Sequence, residues 1–329
     1  MTDRVYLDHA ATTPLRPEAR AAMEEGFALW ANPSSPHGEG RKAKNALEDA
    51  RARIKAACDW DGEVIFTSGA SEALWIALNR AKATRRIVSA VEHDAVLRAA
   101  PDAEISSDES TFDASTILAV QHVNSETGVI NPVGAMAETL GPTGAVLLSD
   151  CSQSAGKLTL PMADMLVVSA HKLGGPIGIG ALLVRDWNLL EPTGGHERGY
   201  RQGTENMPGA LGFAAALEAG EWATTAEERS GFASALGEAK LTFGDQTDYI
   251  FALAHPTMSA QALLIRLDAM GIAVSAGSAC SSGTLKKSRV LDAFGVSDDV
   301  AARTIRVSLG WNTTTADLDR FIEAWKSLT

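Results

Sequence analysis

Cysteine is scarce in this chain, and its three copies, Cys58, Cys151 and Cys280, are widely and irregularly spaced. That spacing supplies neither a disulfide framework nor a zinc knuckle, and the scarcity suits a reducing compartment. No apolar run approaches the roughly 20 residues that a membrane helix needs. Dense basic runs are missing too: Arg85-Arg86 and Lys286-Lys287 are isolated pairs, and the net charge is −12. Both a nucleic-acid surface and an anionic-membrane surface demand a basic patch, so neither partner is expected. The amino terminus lacks the charged-then-apolar order of a signal peptide, which makes the cytoplasm the expected compartment. There is no internal repeat and no low-complexity tract.

The 329 residues allow one large domain and a smaller one. From about residue 63, short apolar runs alternate with amphipathic stretches. The strand candidates are 64–67, 87–91, 117–123, 145–149, 165–169 and 179–184. Their interiors run apolar instead of alternating, which predicts a mainly parallel sheet covered by helices on both faces. After about residue 215 the pattern changes to a smaller α+β arrangement ending in a helix with Leu318, Phe321, Ile322, Trp325 and Leu328 on one face. The expected division is 16–215 for the large domain, with 1–15 and 216–329 forming the small one.

Lys172 follows the apolar run 165–168 in Ser169-Ala170-His171-Lys172. That places it at the carboxyl end of a buried strand, where α/β sheets bind ligands. A lysine there is costly to desolvate unless its amine has a task. One task is a Schiff base with pyridoxal phosphate (PLP); the alternative is a partly exposed lysine at a strand end. Asp150 ends the run 145–149 and would emerge at the same edge, suited to a pyridine nitrogen, although an aspartate after a strand is also a common helix cap. Gln153 lies three positions on, where it can donate to the ring's phenolic oxygen. Thr67-Ser68-Gly69-Ala70-Ser71-Glu72 leads from a strand into a helix and reads either as a phosphate cradle or as an ordinary capping box. Ser169 and His171 are further phosphate donors. His93 stands past the run 87–91, placed to stack on a ring and move protons. Asn124 stands past 117–123, placed to touch the phenolic oxygen or the substrate.

Cys280 lies among small polar residues, Ala276-Gly277-Ser278-Ala279-Cys280-Ser281-Ser282-Gly283. A buried structural cysteine prefers apolar neighbours, so Cys280 is the reactive thiol expected here. Cys58, on a helix, and Cys151, turned away from the cofactor acid, are expected to be inert. Arg306 is flanked by apolar residues in 305–309 and needs a carboxylate, either internal or carried by a substrate.

Taken together, Tyr6 to Pro14, Asn32-Pro33-Ser34-Ser35-Pro36-His37, Thr67 to Glu72, Glu92-His93 and His122-Val123-Asn124-Ser125-Glu126-Thr127-Gly128 resemble one family. Asp150-Cys151-Ser152-Gln153, Ser169 to Lys172, Arg198 to Thr204, Gly277 to Cys280 and Ile305 to Leu309 continue the match. The chain resembles the cysteine desulfurases of the NifS/IscS type, in the class V aminotransferase group of fold-type I PLP enzymes. The resemblance implies an α/β fold whose large PLP-binding domain has a mainly parallel seven-stranded sheet, with a small α+β domain carrying the cysteine loop and a carboxylate-binding arginine. It implies Lys172 as the Schiff-base lysine, Asp150 at the pyridine nitrogen and His93 stacked on the ring. Gln153 and Asn124 fall near the phenolic oxygen, and Ala70, Ser71, Ser169 and His171 at the phosphate. Thr204 would reach the phosphate of the neighbouring subunit, which implies a homodimer. Arg306 matches the substrate carboxylate clamp.

The reaction implied converts L-cysteine to L-alanine, leaving a persulfide on Cys280. The sulfur would pass to an acceptor protein such as an iron–sulfur scaffold or a thiolation partner. No resident metal is expected; Cys280 is the residue that would ligate an iron–sulfur cluster transiently. The chain departs from the family by being trimmed near 85–115 and 220–255, and by Ser71 and Cys151 where threonine and alanine are commoner. The rival readings are a selenocysteine lyase or aminotransferase, and a fold-only sulfur-carrier scaffold. A dinucleotide-dependent dehydrogenase is disfavoured because the glycine run 174–180 precedes a strand instead of opening a helix.

Overall fold

A computed structural model describes residues 4–276 and 288–329. The chain divides into two compact units. The larger comprises Pro14–His122 and Asn131–Gly220; the smaller comprises Met1–Thr13, Val123–Ile130 and Glu221–Thr329. A two-residue strand of the smaller unit comes first, β1 (Val5–Tyr6).

The larger unit begins with two helices, α1 (Pro17–Leu29) and α2 (Gly38–Ala57). Then β2 (Glu63–Thr67) leads into α3 (Ala70–Arg80), and β3 (Arg85–Val88) into the short α4 (Asp94–Ala99). After β4 (Glu104–Ile105) and β5 (Thr116–Ala119) come α5 (Val133–Leu140) and β6 (Val146–Asp150). The unit closes with β7 (Met165–Ser169), β8 (Gly180–Val184) and α6 (Met207–Glu218). The seven strands form one sheet in the order β2-β8-β7-β6-β5-β3-β4. All pairings are parallel except those of β8, which runs antiparallel to both β2 and β7.

Alternate residues of each strand enter different cores. Val64, Phe66, Leu147, Leu166 and Val168 join one cluster with α1, α2 and α6. Ile65, Val146, Leu148, Met165 and Val167 join the other with α3 and α4. Burial on both faces explains the apolar runs, since each buried side chain gains about 1.5–3 kcal/mol from leaving water. The run 117–123 is shorter as a strand than its composition suggests, ending at Ala119. The backbone nevertheless stays extended beside β6, with Val120 N–H donating to Leu148 and His122 N–H to Asp150. The strand 145–149 is shifted by one, so that Asp150 is itself its last residue.

In the smaller unit, α7 (Ala226–Ala235) opens with a capping box between Thr225 and Glu228. Then come β9 (Ile250–Ala254), α8 (Ala260–Ala269), β10 (Ile272–Ala273), the short α9 (Arg289–Ala293) and α10 (Asp298–Ala301), β11 (Thr304–Ser308) and α11 (Thr315–Leu328). β11 pairs antiparallel with β9, and β1 parallel with β10. Phe232 meets Phe251 and Phe321 edge-on, at centroid distances of 5.5 and 5.8 Å, and Leu318, Phe321 and Trp325 of α11 are buried. The segment 123–130 belongs to this unit and not, as its place in the chain suggested, to the larger one. Val123 bridges Ile130 across its turn, and Val129 bridges Gln246. Among the described residues no helix is long and apolar enough to cross a membrane.

Candidate active site

In the larger unit, the residues singled out from sequence collect at the carboxyl ends of β6 and β7 and at the amino terminus of α3. Register explains the row at β2, β8 and β7, where Thr67 and Ser169 both pair with Gly180 of the intervening strand. A Cβ on Gly180 would lie 2.8 Å from the Gly69 Cα and 2.7 Å from the Val168 carbonyl oxygen. Only a bare backbone lets the turn before α3 close down on the sheet.

That turn is built for an acceptor that the chain does not supply. Gly69, at φ +151°, occupies the N-cap position of α3 and brings no side-chain cap, and nothing stands within 4 Å of where its Cβ would be. The first amides of α3 have no N-cap side chain to accept them and Ser71 beside them is exposed, an arrangement suited to an anion. The expected alternative, a capping box, is only half present: the Glu72 carboxylate accepts the Ser68 N–H, but no side chain caps α3 from Gly69. Ala70 is the first helical residue. The open, uncapped turn fits a phosphate monoester such as that of PLP.

Lys172 ends a single 3-10 turn, Ala170–Lys172, directly after β7. His93 caps α4, its Nδ1 accepting the Ala95 N–H at 3.1 Å, which places the neutral ring's proton on Nε2. Burial pushes His93 below its ordinary value; the nearby Asp150 carboxylate opposes this and the Lys172 ammonium reinforces it. Asp150 and Lys172 thus both lie within electrostatic reach of His93. His171 is pushed down to about 4, by burial first and then by Lys172 and Lys157, so at neutral pH it is an uncharged donor and acceptor. Asp150 holds the Ser152 N–H on Oδ1 at 2.9 Å, and Gln153 is buried just beyond. Thr204 is exposed in the single chain.

Sequence reading missed Lys157. Its residue keeps some solvent contact, yet burial of the amine, with the charge of Lys172 added, pulls it down to about 7. A lysine four residues past Gln153, following Gly156, carried no local signal of that burial.

The two described cysteines are buried, and burial pushes each thiol up to about 12. Neither is a thiolate at neutral pH. Cys280 lies outside the described residues.

Asn124 and Arg306 stand in the smaller unit. The Asn124 Oδ1 accepts the N–H groups of Glu126 and Thr127 and the Thr127 hydroxyl, all at 2.9–3.0 Å. Its oxygen is committed to its own turn, so any contact with a ligand falls to the amide nitrogen. Arg306, in β11, has an internal carboxylate: Nη2 meets the Asp8 Oδ1 at 2.8 Å, while Nη1 donates to the Ser125 carbonyl at 3.0 Å. Its Nε is buried with no hydrogen-bond partner among the described residues. Buried donors are seldom left so, and the unsatisfied Nε is the donor of this guanidinium that a carboxylate would complete.

The family model for class V aminotransferases matches residues 5–109 and 103–321. The chain belongs to that family. A cysteine desulfurase from Cereibacter sphaeroides is 35% identical, covering 98% of this chain and 94% of that protein. Among solved structures, a NifS-like protein superposes with a TM-score of 0.87 at 26% identity over 99% of each chain. Another, SspA in complex with cysteine, superposes with a TM-score of 0.79 at 27% identity, covering 94% of this chain and 99% of that one. Within class V, then, this is an enzyme grouped with the cysteine desulfurases of the NifS and IscS type.

Proposed function

We propose that this class V enzyme is a PLP-dependent desulfurase that takes the sulfur of L-cysteine, releases L-alanine and holds the sulfur on Cys280 as a persulfide. The observation that carries the reading is that Asp150 and Lys172, both within reach of His93, leave β6 and β7 at the sheet edge where Gly180, paired with Ser169, lets the uncapped amino terminus of α3 close down. PLP, when bound, supplies an electron sink for charge developing at the substrate's α-carbon.

The chain's own groups divide the remaining work. Lys172 holds the cofactor covalently between turnovers and moves the α-proton when its amine is free. The Asp150 carboxylate keeps the pyridine nitrogen protonated. His93, its ring proton on Nε2, would face the pyridine ring, and Gln153 and the Asn124 amide would serve the phenolic oxygen. Ala70, Ser71, Ser169 and His171 hold the phosphate, joined by Thr204 from the second copy of a homodimer. Arg306, steadied by Asp8, offers its Nε to the substrate carboxylate. The Cys280 thiolate attacks the substrate sulfur; the carbon–sulfur bond breaks, a sulfur–sulfur bond forms, and the substrate's β-carbon gains a proton. The persulfide sulfur is then passed to an acceptor protein in the cytoplasm, an iron–sulfur scaffold or a thiolation partner.

The test is direct. Cys280→Ala is expected to keep the cofactor's near-visible absorption and lose sulfide release from cysteine. Undiminished sulfide release would sink the assignment of Cys280. Borohydride trapping followed by peptide mass spectrometry should place the pyridoxyl group on Lys172, and a protein that takes up no PLP would end the whole reading.

A further inference from the structure

The loop 196–205 grips the turn before α3 on both sides. On the strand side, Glu197 is almost fully buried and accepts the Phe66 N–H on Oε2 at 2.8 Å, one residue before the turn starts. The same carboxylate takes two donors from Arg51, Nη1 at 2.9 Å and Nη2 at 3.1 Å. Arg51 in turn donates to the Val64 carbonyl and lies over the Phe66 ring, 4.7 Å from its centroid. On the helix side, the Arg201 Nε sits 3.1 Å from both oxygens of Glu72, and Glu72 accepts the Ser68 N–H inside the turn. The 66–72 segment is thus tied to one loop at its entrance and its exit, and the Glu72 held at the exit also braces its middle through the Ser68 N–H.

The loop is itself held in a costly shape. Glu197 and Arg198 have φ of +46° and +58°, the left-handed region that residues with a Cβ avoid. Each such residue costs on the order of 1–3 kcal/mol and persists only where its surroundings hold it. The two side chains of the Arg51–Glu197 pair are 6% and 1% exposed, so here the surroundings are a buried, bidentate pair.

We propose that Glu197 and Arg201 are positioning residues for the cofactor phosphate. They touch no ligand; they fix the backbone amides of 69–72 in the arrangement that receives the phosphate before it arrives. The inference rests on the PLP reading above and extends it to two residues outside the phosphate contacts. A cradle fixed in advance spends less of its binding free energy on ordering the turn, and the benefit applies to the phosphate alone, not to the pyridine ring.

Pyridoxal carries the same ring and aldehyde without the phosphate, which separates the two contributions. Cofactor-free wild type, Arg201→Gln and Glu72→Gln, all full length, would be titrated with PLP and with pyridoxal, followed by absorbance. In the variants the Kd for PLP is expected to rise about tenfold, while that for pyridoxal stays within about twofold. The Arg201–Glu72 side chains are only 16% and 29% exposed but lie at the surface of the turn, and circular-dichroism melts would verify that both variants fold. Arg201→Lys, which keeps the charge and loses the planar fork, should recover part of the PLP affinity. Equal weakening of PLP and pyridoxal, or an unchanged ratio of the two, overturns the proposal and leaves the cofactor reading standing. Wild type that takes up neither compound overturns both.

Discussion

In the larger unit, Asp150 and Ser169 are the last residues of strands packed on both faces, and Lys172 comes three residues after one of them. In the smaller unit, Asn124 is held by its own turn and Arg306 by a carboxylate 298 positions away in the chain. The first arrangement draws its precision from the sheet, because a fixed register fixes where each strand stops. The second draws it from polar partners, so each functional group arrives partly spent on internal bonds. One unit therefore sets its groups by where its strands end, and the other by the polar partners that hold them.

The contrast can be broken most sharply at Lys172. Lys172→Ala is expected to lower sulfide release by about 10³-fold or more while leaving the melting curve of the protein close to wild type. A large loss of stability instead would mean that the lysine is part of the framework. Next comes Arg51→Met, which strands the buried Glu197 carboxylate and is expected to cost about 3–5 kcal/mol in urea unfolding, against a smaller loss in the double variant with Glu197→Gln. Full additivity of the two single changes would contradict the pairing. In the smaller unit, Arg306→Lys removes Nε and the fork, and should raise KM for cysteine by about ten- to a hundredfold with kcat less affected. Loss confined to kcat would place Arg306 elsewhere in the reaction.

The smallest effect concerns pH. His171 is lowered from 6.5 to about 4, so the unfolded chain takes up its proton first as pH falls. Its contribution is intact above 6.5 and is lost as pH drops toward about 4, so the melting temperature of the cofactor-free protein should fall across that window. His171→Asn should flatten the slope; an unchanged slope would assign the effect to other groups.

The larger unit was the more legible of the two in sequence, for a physical reason. Runs such as 165–168 announce a strand buried on both faces, and the polar residue that follows must leave the sheet at its edge. The edge strand β4 went unseen because both of its residues, Glu104 and Ile105, are exposed and form no apolar run. The partners of the long-range pairs were also illegible: nothing near Arg306 points to Asp8, and nothing near Glu197 points to Arg51. The displacement of 123–130 into the smaller unit had no signal either, since that segment is held there by contacts distant in sequence. The alternatives left open for Arg306 are narrowed by geometry, with an internal carboxylate on Nη2 and a buried, unsatisfied donor on Nε.

The reversed direction of β8 bears on how Lys172 can move. Because β7 and β8 are antiparallel neighbours, the lysine sits on a hairpin and not on a crossover through a helix. Both roots of that hairpin are interior strands, and its far side is tied down by the Arg16 N–H to Gly174. The backbone carrying the amine is held close by, with the Leu173 and Gly175 N–H groups both donating to the Ala170 carbonyl. Whatever distance the nitrogen covers while ferrying a proton must come from rotation about the four carbons of its own side chain, a swing measured in nanoseconds and not a rearrangement of the domain.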